Sequence, residues 1–364
     1  MAHRTAQPKD RDGFEIAIIC ALRSEADAVE ALFDEYWDED GDPYGRAQGD
    51  TNSYTTGSIG RHNVVLAYMP GIGRSSAASV ATSFRSSFRN IRLALAVGIC
   101  GGVPILSDGS EILLGDVIIS TGVIQHDFGR QLPDGFVPKD TLEDNLGRPN
   151  IEIRTLLAKL GGLRGRKRLG KNTLSFINVL STNSDFQTSR FPGRDEDKLY
   201  KSTYRHKHRD PAACTVCSQP ESKEEKTCAA AFGQECTVMK CDETMLVPRR
   251  RLAGDKQVEG ITEEQQPSIH FGRIASADGV MKSGEHRDQI AAEKSVIGFE
   301  MEGAGIWDSF PCVIIKGVCD YADSHKQKNW QGYAALAAAA CLKAFLMEWN
   351  PNPTPTAEAV VRGM

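Results

Sequence analysis

The sequence lacks a strong charge bias, and this absence narrows the classes of function open to it. Its 43 basic and 48 acidic residues give a formal net charge of -5. General nucleic-acid binders carry a dominant basic face, so we expect no nucleic-acid partner. The first residues contain no apolar segment of the kind that a secretory signal needs. No apolar run approaches the roughly 20 residues of a membrane helix. We therefore expect a cytoplasmic protein without a membrane partner.

Complete nucleotide-binding signatures are also missing. The turns at residues 71–73 and 98–102 are rich in glycine, but neither is a full dinucleotide fingerprint or a P-loop with its lysine. Two such turns after successive apolar runs still favour a ligand site, because loops at strand ends often carry function. For the first turn, a tight connection between a strand and a helix remains the alternative.

Short apolar runs rich in β-branched residues alternate with amphipathic segments, which predicts an α/β fold. We predict helices at residues 151–163 and 329–346 and an additional strand at residues 174–180. One domain is expected at residues 14–349, with flexible tails at 1–13 and 350–364. The runs that are typical of buried parallel strands are residues 14–20, 62–69, 91–97 and 312–320.

Ten cysteines in a chain without a secretory signal favour thiols or metal ligands over disulfides. Half of them lie in residues 188–262, a charged segment without periodicity that we interpret as an insertion in the domain. Such a segment has little core of its own, which favours a structural zinc ion. Disulfides and unliganded thiols remain alternatives. The arginines at 249–251 are interpreted as a solvated patch. The predicted zinc ligands are Cys214, Cys217, Cys236 and Cys241, with Cys228 as the alternate.

Acidic residues stand near the ends of several apolar runs, where open α/β sheets bind ligands. Glu25 follows the first run, Glu300 and Glu302 end a later one, and Asp320 ends the next. Burial of such carboxylates is costly unless they bind something. A ligand-binding carboxylate beside a proton-donating one can form a catalytic pair. Phe186, in a polar loop, suits stacking on a planar ring, although it could instead be a buried anchor.

Along the chain come Glu25, the glycine turns at 71–73 and 98–102, Phe186, the acidic pair at 300 and 302, and Asp320. This order resembles the nucleoside phosphorylase/nucleosidase superfamily over roughly residues 14–346, apart from the insertion. Within it, the chain is most similar to the methylthioadenosine/S-adenosylhomocysteine nucleosidases and to related domains of fungal proteins. The stretch Glu300-Met-Glu-Gly-Ala304 with the downstream Asp320 is the most specific part of the likeness. The resemblance implies a single α/β domain with a central mixed, partly closed β-sheet flanked by helices.

The resemblance also implies cleavage of the N-glycosidic bond of a purine nucleoside, with no cofactor needed for catalysis. Glu302 would accept hydrogen bonds from the ribose hydroxyls, and Asp320 would protonate the purine. Phe186 would stack on the base, with Gln187 beside it. The remaining substrate contacts that it implies are Met301, Glu300, Gly98, Ile99, Cys100 and Gly101.

Water is the predicted nucleophile. Bacterial-type phosphorylases carry an arginine and a serine around the central glycine turn, and this chain has Ala96 and Ile99 there. Glu25 matches the glutamate that activates water in the nucleosidases, and a carboxylate there would repel phosphate. We therefore expect hydrolysis of adenosine, inosine or guanosine.

Three other functions stay open. They are phosphorolysis, to which Arg23 or Arg74 could contribute, cleavage of 5'-methylthioadenosine or S-adenosylhomocysteine, and nucleoside sensing without catalysis. Because the chain ends shortly after the domain, we expect a stand-alone enzyme. By the same resemblance we expect a homodimer or a higher homo-oligomer.

Overall fold

The computed structural model describes residues 5–139, 141, 143–210, 212–217, 228–253, 266–325 and 328–351. Strands and helices alternate through most of this part of the chain. The strands are β1 Ile16–Cys20, β2 Glu35–Tyr36, β3 Tyr54–Ile59, β4 His62–Tyr68, β5 Leu93–Gly102, β6 Val117–Gln125, β7 Gly129–Leu132, β8 Gly135–Pro138, β9 Ile269–Ser276, β10 Val296–Glu300 and β11 Cys312–Asp320. The helices are α1 Arg23–Glu30, α2 Arg74–Ser87, α3 Ile151–Gly161, α4 Leu163–Thr182, α5 Cys236–Met239, α6 Gly284–Lys294, α7 Gly303–Ile306 and α8 Asn329–Leu346.

One mixed sheet contains every described strand except the β7–β8 hairpin. Its order is β10-β9-β6-β11-β5-β1-β4-β3-β2. Strand β10 also pairs with β5, so one end of the sheet closes on itself. Strands β1, β5 and β11 are parallel, whereas β6 runs antiparallel to β11. The predicted single α/β domain with a mixed, partly closed sheet flanked by helices is confirmed.

The central strands are buried on both faces, as their continuous apolar runs predict. Every residue of β1 and of β11 is buried. Helix α8 covers β11 and β5, and its small alanines let the backbones approach closely. At Gly317 in β11, an added Cβ would lie 2.0 Å from the carbonyl oxygen of Ala334. Among the described residues, no helix has both the length and the apolar character needed to cross a membrane.

The strand predicted at residues 174–180 is wrong, because this segment lies inside helix α4. Its apolar run is not buried continuously: Val179 is 58% exposed. The buried residues of the helix follow the helical period, with Ile177 four residues after Thr173 and Leu180 three residues after Ile177. They are Leu169, Gly170, Thr173, Ile177 and Leu180.

The cysteine-rich segment has little regular structure in its described part. That part consists of short 3-10 turns, the four-residue helix α5 and an isolated bridge between Tyr200 and Leu246. The predicted solvated arginine patch is wrong for Arg249, although Arg250 is exposed. Arg249 is buried and donates to the carbonyl oxygens of Pro104 and Ile112, at 2.9 and 2.5 Å. These bonds fasten the segment to the connection between β5 and β6.

We predict that Gly317→Ala destabilises the fold by about 1–3 kcal/mol, because the new methyl group meets the α8 backbone. Urea denaturation followed by circular dichroism measures the free energy of unfolding. Gly147→Ala is the control, since a Cβ there has no neighbour within 4 Å. Equal stability of the two variants would contradict close packing of α8 on β11.

Candidate active site

A cavity of about 270 Å³ lies where the carboxyl ends of β1, β5, β6, β9, β10 and β11 converge. Its volume is near the lower end of small-molecule pockets, about 300 Å³. Most of the predicted site residues line it. The described lining residues are Ala21, Leu22, Glu25, Ile72, Ile99, Cys100, Gly101, His126, Gly279, Val280, Met281, Phe299, Glu300, Met301, Glu302, Cys319, Asp320, Ala322 and Gln331.

Glu25 is fixed in the first turn of α1 by backbone amides. Its Oε2 accepts hydrogen bonds from the amides of Ala21 and Leu22, at 3.0 and 2.8 Å. Its Oε1 accepts one from the amide of Ile99, at 2.8 Å. At Gly98 an added Cβ would lie 2.1 Å from that Oε1. The glycine at 98 therefore makes room for this carboxylate. Gly98, predicted as a substrate contact, is not among the described residues that line the cavity.

Glu302 and Glu300 hold the turn between β10 and α7 in different ways. One oxygen of Glu302 lies 2.9 Å from Nζ of Lys316, and the other accepts a bond of 3.4 Å from the amide of Gly73. Glu300 accepts from the amides of Glu302 and Gly303, at 2.9–3.0 Å. Glu300 thus supports the backbone that presents Glu302.

Lys316 is buried in β11. The sequence analysis did not include it among the site residues. A lysine inside an apolar run nevertheless indicates that an acidic partner is buried beside it. Burial alone would raise the pKa of Glu302, but Lys316 outweighs this and holds that pKa below its usual value. Burial raises the pKa of Glu25 and of Glu300, and Lys316 offsets part of each rise. Burial would lower the pKa of Lys316, but the three carboxylates, Glu302 foremost, hold it well above its usual value.

Asp320 is the last residue of β11, where the pairing with β5 shifts register between Val318 and Asp320. Its Oδ1 accepts a 2.8 Å bond from the amide of Ala322. The thiol of Cys319 lies 3.5 Å from its Oδ2. A Cβ at Gly101 would lie 2.9 Å from Oδ1, so this glycine keeps the space next to the carboxylate open.

The lining of the cavity is rich in carboxylates: Glu25, Glu300, Glu302 and Asp320 all contribute. Its described lining contains no lysine or arginine. Arg74, which sequence reasoning left as a possible anion ligand, instead pairs with Asp127 and Asp278, at 3.7 and 3.3 Å between nitrogen and oxygen.

Arg23, the other arginine left open for an anion, is exposed and is not among the lining residues. Neither arginine is therefore placed to hold a phosphate in the cavity.

One wall of the cavity is apolar and was not predicted. It includes Val280 and Met281, in the loop after β9, and Phe299 of β10. His126 meets the edge of the Phe299 ring, with ring centroids 5.8 Å apart. Burial lowers the pKa of His126 and favours its neutral form. This loop directly follows β9, which runs parallel to β10. Ligand sites in α/β sheets lie at the carboxyl ends of such strands, so the sequence could have indicated that this loop lines the cavity.

Phe186 and Gln187 are not among the described residues that line the cavity. They lie in the 3-10 turn Ser184–Ser189 that follows helix α4, so they do not stand at a strand end as predicted. Phe186 is buried in the main hydrophobic core. Phe186 therefore has the environment expected of the alternative interpretation, a buried anchor.

The cysteines of the insertion form two groups instead of the single set predicted. His208, Cys214, Cys217 and Cys228 bring their ligand atoms within 4.8 Å of one another. A second group, within the same limit, consists of His206, Cys236 and Cys241. Cys228 is therefore a full member of the first group and not an alternate. Each group also contains one histidine, which the sequence analysis did not include.

The family comparison agrees with this architecture. Residues 15–153 match a family model described as the Phosphorylase superfamily. The strands β1, β4, β5 and β6 and the residues Glu25 and Ile99 lie in that range, and the remaining carboxylates meet them at one cavity. Over residues 15–153 the chain therefore belongs to the phosphorylase superfamily, the family of the resemblance described above.

Solved structures of superfamily enzymes share this fold. A Helicobacter pylori MTAN mutant with 5'-methylthioadenosine in the active site is 16% identical, with a TM-score of 0.51, over 93% of this chain and 100% of that one. The Streptococcus pneumoniae MTA/SAH nucleosidase with 8-aminoadenine is 18% identical, with a TM-score of 0.52, over 92% and 100%. Futalosine hydrolase of Helicobacter pylori is 16% identical, with a TM-score of 0.51, over 93% and 99%.

A curated relative is more similar in sequence but much longer. It is a nucleotide-binding leucine-rich repeat (NLR)-like protein of Hyaloscypha variabilis, 33% identical over 345 residues. The match covers 93% of this chain and 30% of the relative. The chain therefore spans less than a third of the length of that relative.

We predict that Lys316→Met destabilises the fold by about 3–5 kcal/mol, because it leaves buried carboxylates without their cation. The double variant Lys316→Met/Glu302→Gln should lose less than the sum of the two single losses. Urea denaturation measures all three. Lys171→Met, an exposed change on α4, is the control. A loss at Lys316 no greater than the control's would contradict the buried ion cluster.

Proposed function

We propose that this chain hydrolyses the N-glycosidic bond of purine ribonucleosides of the adenosine, inosine or guanosine class to free base and ribose. The carrying observation is the set of groups that line the cavity, which includes four acidic side chains and, in its described part, no lysine or arginine. A phosphate dianion entering it would meet like charge at short range. Water meets no such barrier, and a carboxylate can accept its proton.

Negative charge also suits the bond that breaks. Cleavage of a glycosidic bond develops positive charge on the sugar, and carboxylates fixed around the sugar stabilise that charge. In the proposed complex, ionised Glu302 accepts hydrogen bonds from the two vicinal ribose hydroxyls, since a carboxylate is an acceptor only. Lys316 supports this role because it keeps Glu302 ionised.

Asp320 is the proposed general acid. The departing purine gains electron density and leaves readily when a carboxylic acid gives it a proton. The Ala322 amide holds Oδ1 of Asp320 in place. In the same complex the base lies against the apolar wall of Val280, Met281 and Phe299, a surface suited to a planar ring.

Glu25 is the proposed general base. Three backbone amides fix its carboxylate. It takes a proton from the water that attacks the anomeric carbon. Glu25 accepts from three backbone amides, whereas Asp320 accepts from the Ala322 amide and lies beside the Cys319 thiol. These different surroundings suit the two carboxyl groups to different tasks.

The substrate range is open on the side of the ribose 5' position. Ile72, which is not part of the wall proposed for the base, lines the cavity and is 50% exposed. Such an apolar side chain suits a thioether substituent, as in 5'-methylthioadenosine. It also suits contact with a second copy of the chain, which is how we expect a homo-oligomer to complete the site.

A second candidate function is nucleoside sensing within a larger protein. The match to the NLR-like relative, of which this chain spans 30%, favours it. Here the same cavity would bind a nucleoside without turning it over. The assay below separates the two functions.

We predict that adenosine, inosine or guanosine releases base at the same rate with and without phosphate. Base release can be followed by chromatography. Asp320→Asn, Glu302→Gln and Glu25→Gln should each reduce kcat/KM by about 10²–10⁴-fold with the fold intact. Glu293→Gln, an exposed change on α6, is the control. Strict dependence on phosphate would favour phosphorolysis, and binding without turnover would favour sensing.

The pH dependence provides a separate test of Glu25. Because burial raises its pKa above the ordinary 4.5, the base becomes protonated as pH falls through that raised value. We predict that kcat/KM declines on the acid side with a midpoint above 4.5. Glu302, whose pKa is lowered, stays ionised in that range. An acid limb that Glu25→Gln leaves unchanged in the residual activity would exclude Glu25 as the base.

A further inference from the structure

The first Cys/His group has the ligand types and spacing of a closed zinc site. Nδ1 of His208 lies 3.5 Å from Sγ of Cys217 and 3.4 Å from Sγ of Cys228. Cys214 completes a set of three thiols and one imidazole. In a tetrahedral zinc site, Zn–S bonds of about 2.3 Å and Zn–N bonds of about 2.0 Å place sulfur and nitrogen about 3.5 Å apart. The observed separations agree with that value.

The second group contributes two thiols and one imidazole with similar spacing. Nδ1 of His206 lies 3.3 Å from Sγ of Cys241 and 3.8 Å from Sγ of Cys236. The other ring nitrogen, Nε2, lies 3.0 Å from the carbonyl oxygen of Gln234. A carbonyl only accepts, so this bond requires the proton on Nε2. The lone pair of Nδ1 then faces the two thiols, as it does in histidines that bind metals.

The cysteine-rich insertion around these groups has few other interactions that could stabilise it. All ten cysteines are free thiols, so no disulfide holds it. Its described part has few buried apolar side chains, among them Leu199, Ala231 and Met239. A small polar segment with so little core is stable when a metal ion is bound. Thiolate and imidazole ligands in a tetrahedral set favour zinc over magnesium or calcium, which prefer oxygen.

We propose that the two Cys/His groups each bind one zinc ion. The first is held by His208, Cys214, Cys217 and Cys228. The second is held by His206, Cys236 and Cys241, with one coordination position left for water or another ligand. These sites do not depend on the proposed nucleosidase activity.

The second zinc site is joined to the segment that follows Asp320. The amide of His206 donates to Oγ of Ser324 at 3.1 Å. The rings of Tyr200 and His325 stack with centroids 4.2 Å apart. Zinc at His206 therefore holds in place the chain beyond the proposed general acid.

Metal analysis of the purified full-length chain tests the proposal. Mass spectrometry of the native protein and elemental analysis should each find two zinc ions per chain. Cys214→Ser or Cys217→Ser should reduce the count to one, and so should Cys236→Ser. Cys341→Ala, a buried free thiol in α8, is the control and should retain two.

Two further measurements test the sites without an activity assay and distinguish loss of a metal ion from misfolding. Cobalt-substituted protein should show the visible bands of tetrahedral thiolate coordination, reduced in each variant. Loss of the second zinc in Cys236→Ser should speed hydrogen exchange in residues 321–325, whereas Cys217→Ser should affect them less. A chain that folds with no bound zinc, or that forms disulfides between these cysteines instead, would overturn the proposal.

Discussion

The candidate active site depends on one buried cation. Lys316 lies in the central strand β11, 2.9 Å from Glu302 and 3.9 Å from Glu300. Burying several carboxylates together is costly unless a positive charge is buried with them. The strand that supplies this charge also ends in Asp320. One element therefore sets both the charge balance of the cavity and the position of the proposed acid.

The four carboxylates differ in what their oxygen atoms contact, and these contacts separate their tasks. Glu25 and Glu300 accept hydrogen bonds from backbone amides, which fix their positions. Burial raises the pKa of each. Glu302 instead faces a lysine, which keeps it negative. A single acidic cavity can therefore hold both a charged ligand anchor and a carboxylate suited to exchanging protons.

Much of the fold and of the site could be predicted from sequence, because apolar runs mark the strands and acidic residues mark the ends of several of them. The apolar runs located β1, β5 and β11, and Glu25 after β1 meets Asp320 of β11 at one cavity. The errors have physical causes. Helix α4 was mistaken for a strand because a short apolar run does not reveal its period unless the buried positions are known, and this misplaced Phe186. The grouping of the five insertion cysteines depends on turns far apart in sequence, which spacing alone does not determine.

Closure of the sheet has a consequence for how the protein is made. Strand β10 pairs with β5, and β11 lies between β5 and β6, so residues near 100 meet partners near 300 and 318. Contacts this distant in sequence form late and slowly. During synthesis, β1 can pair with β4 and β5. The other edge of β5 stays unpaired until about two hundred further residues have emerged. Such a chain is most vulnerable to aggregation before its cavity exists.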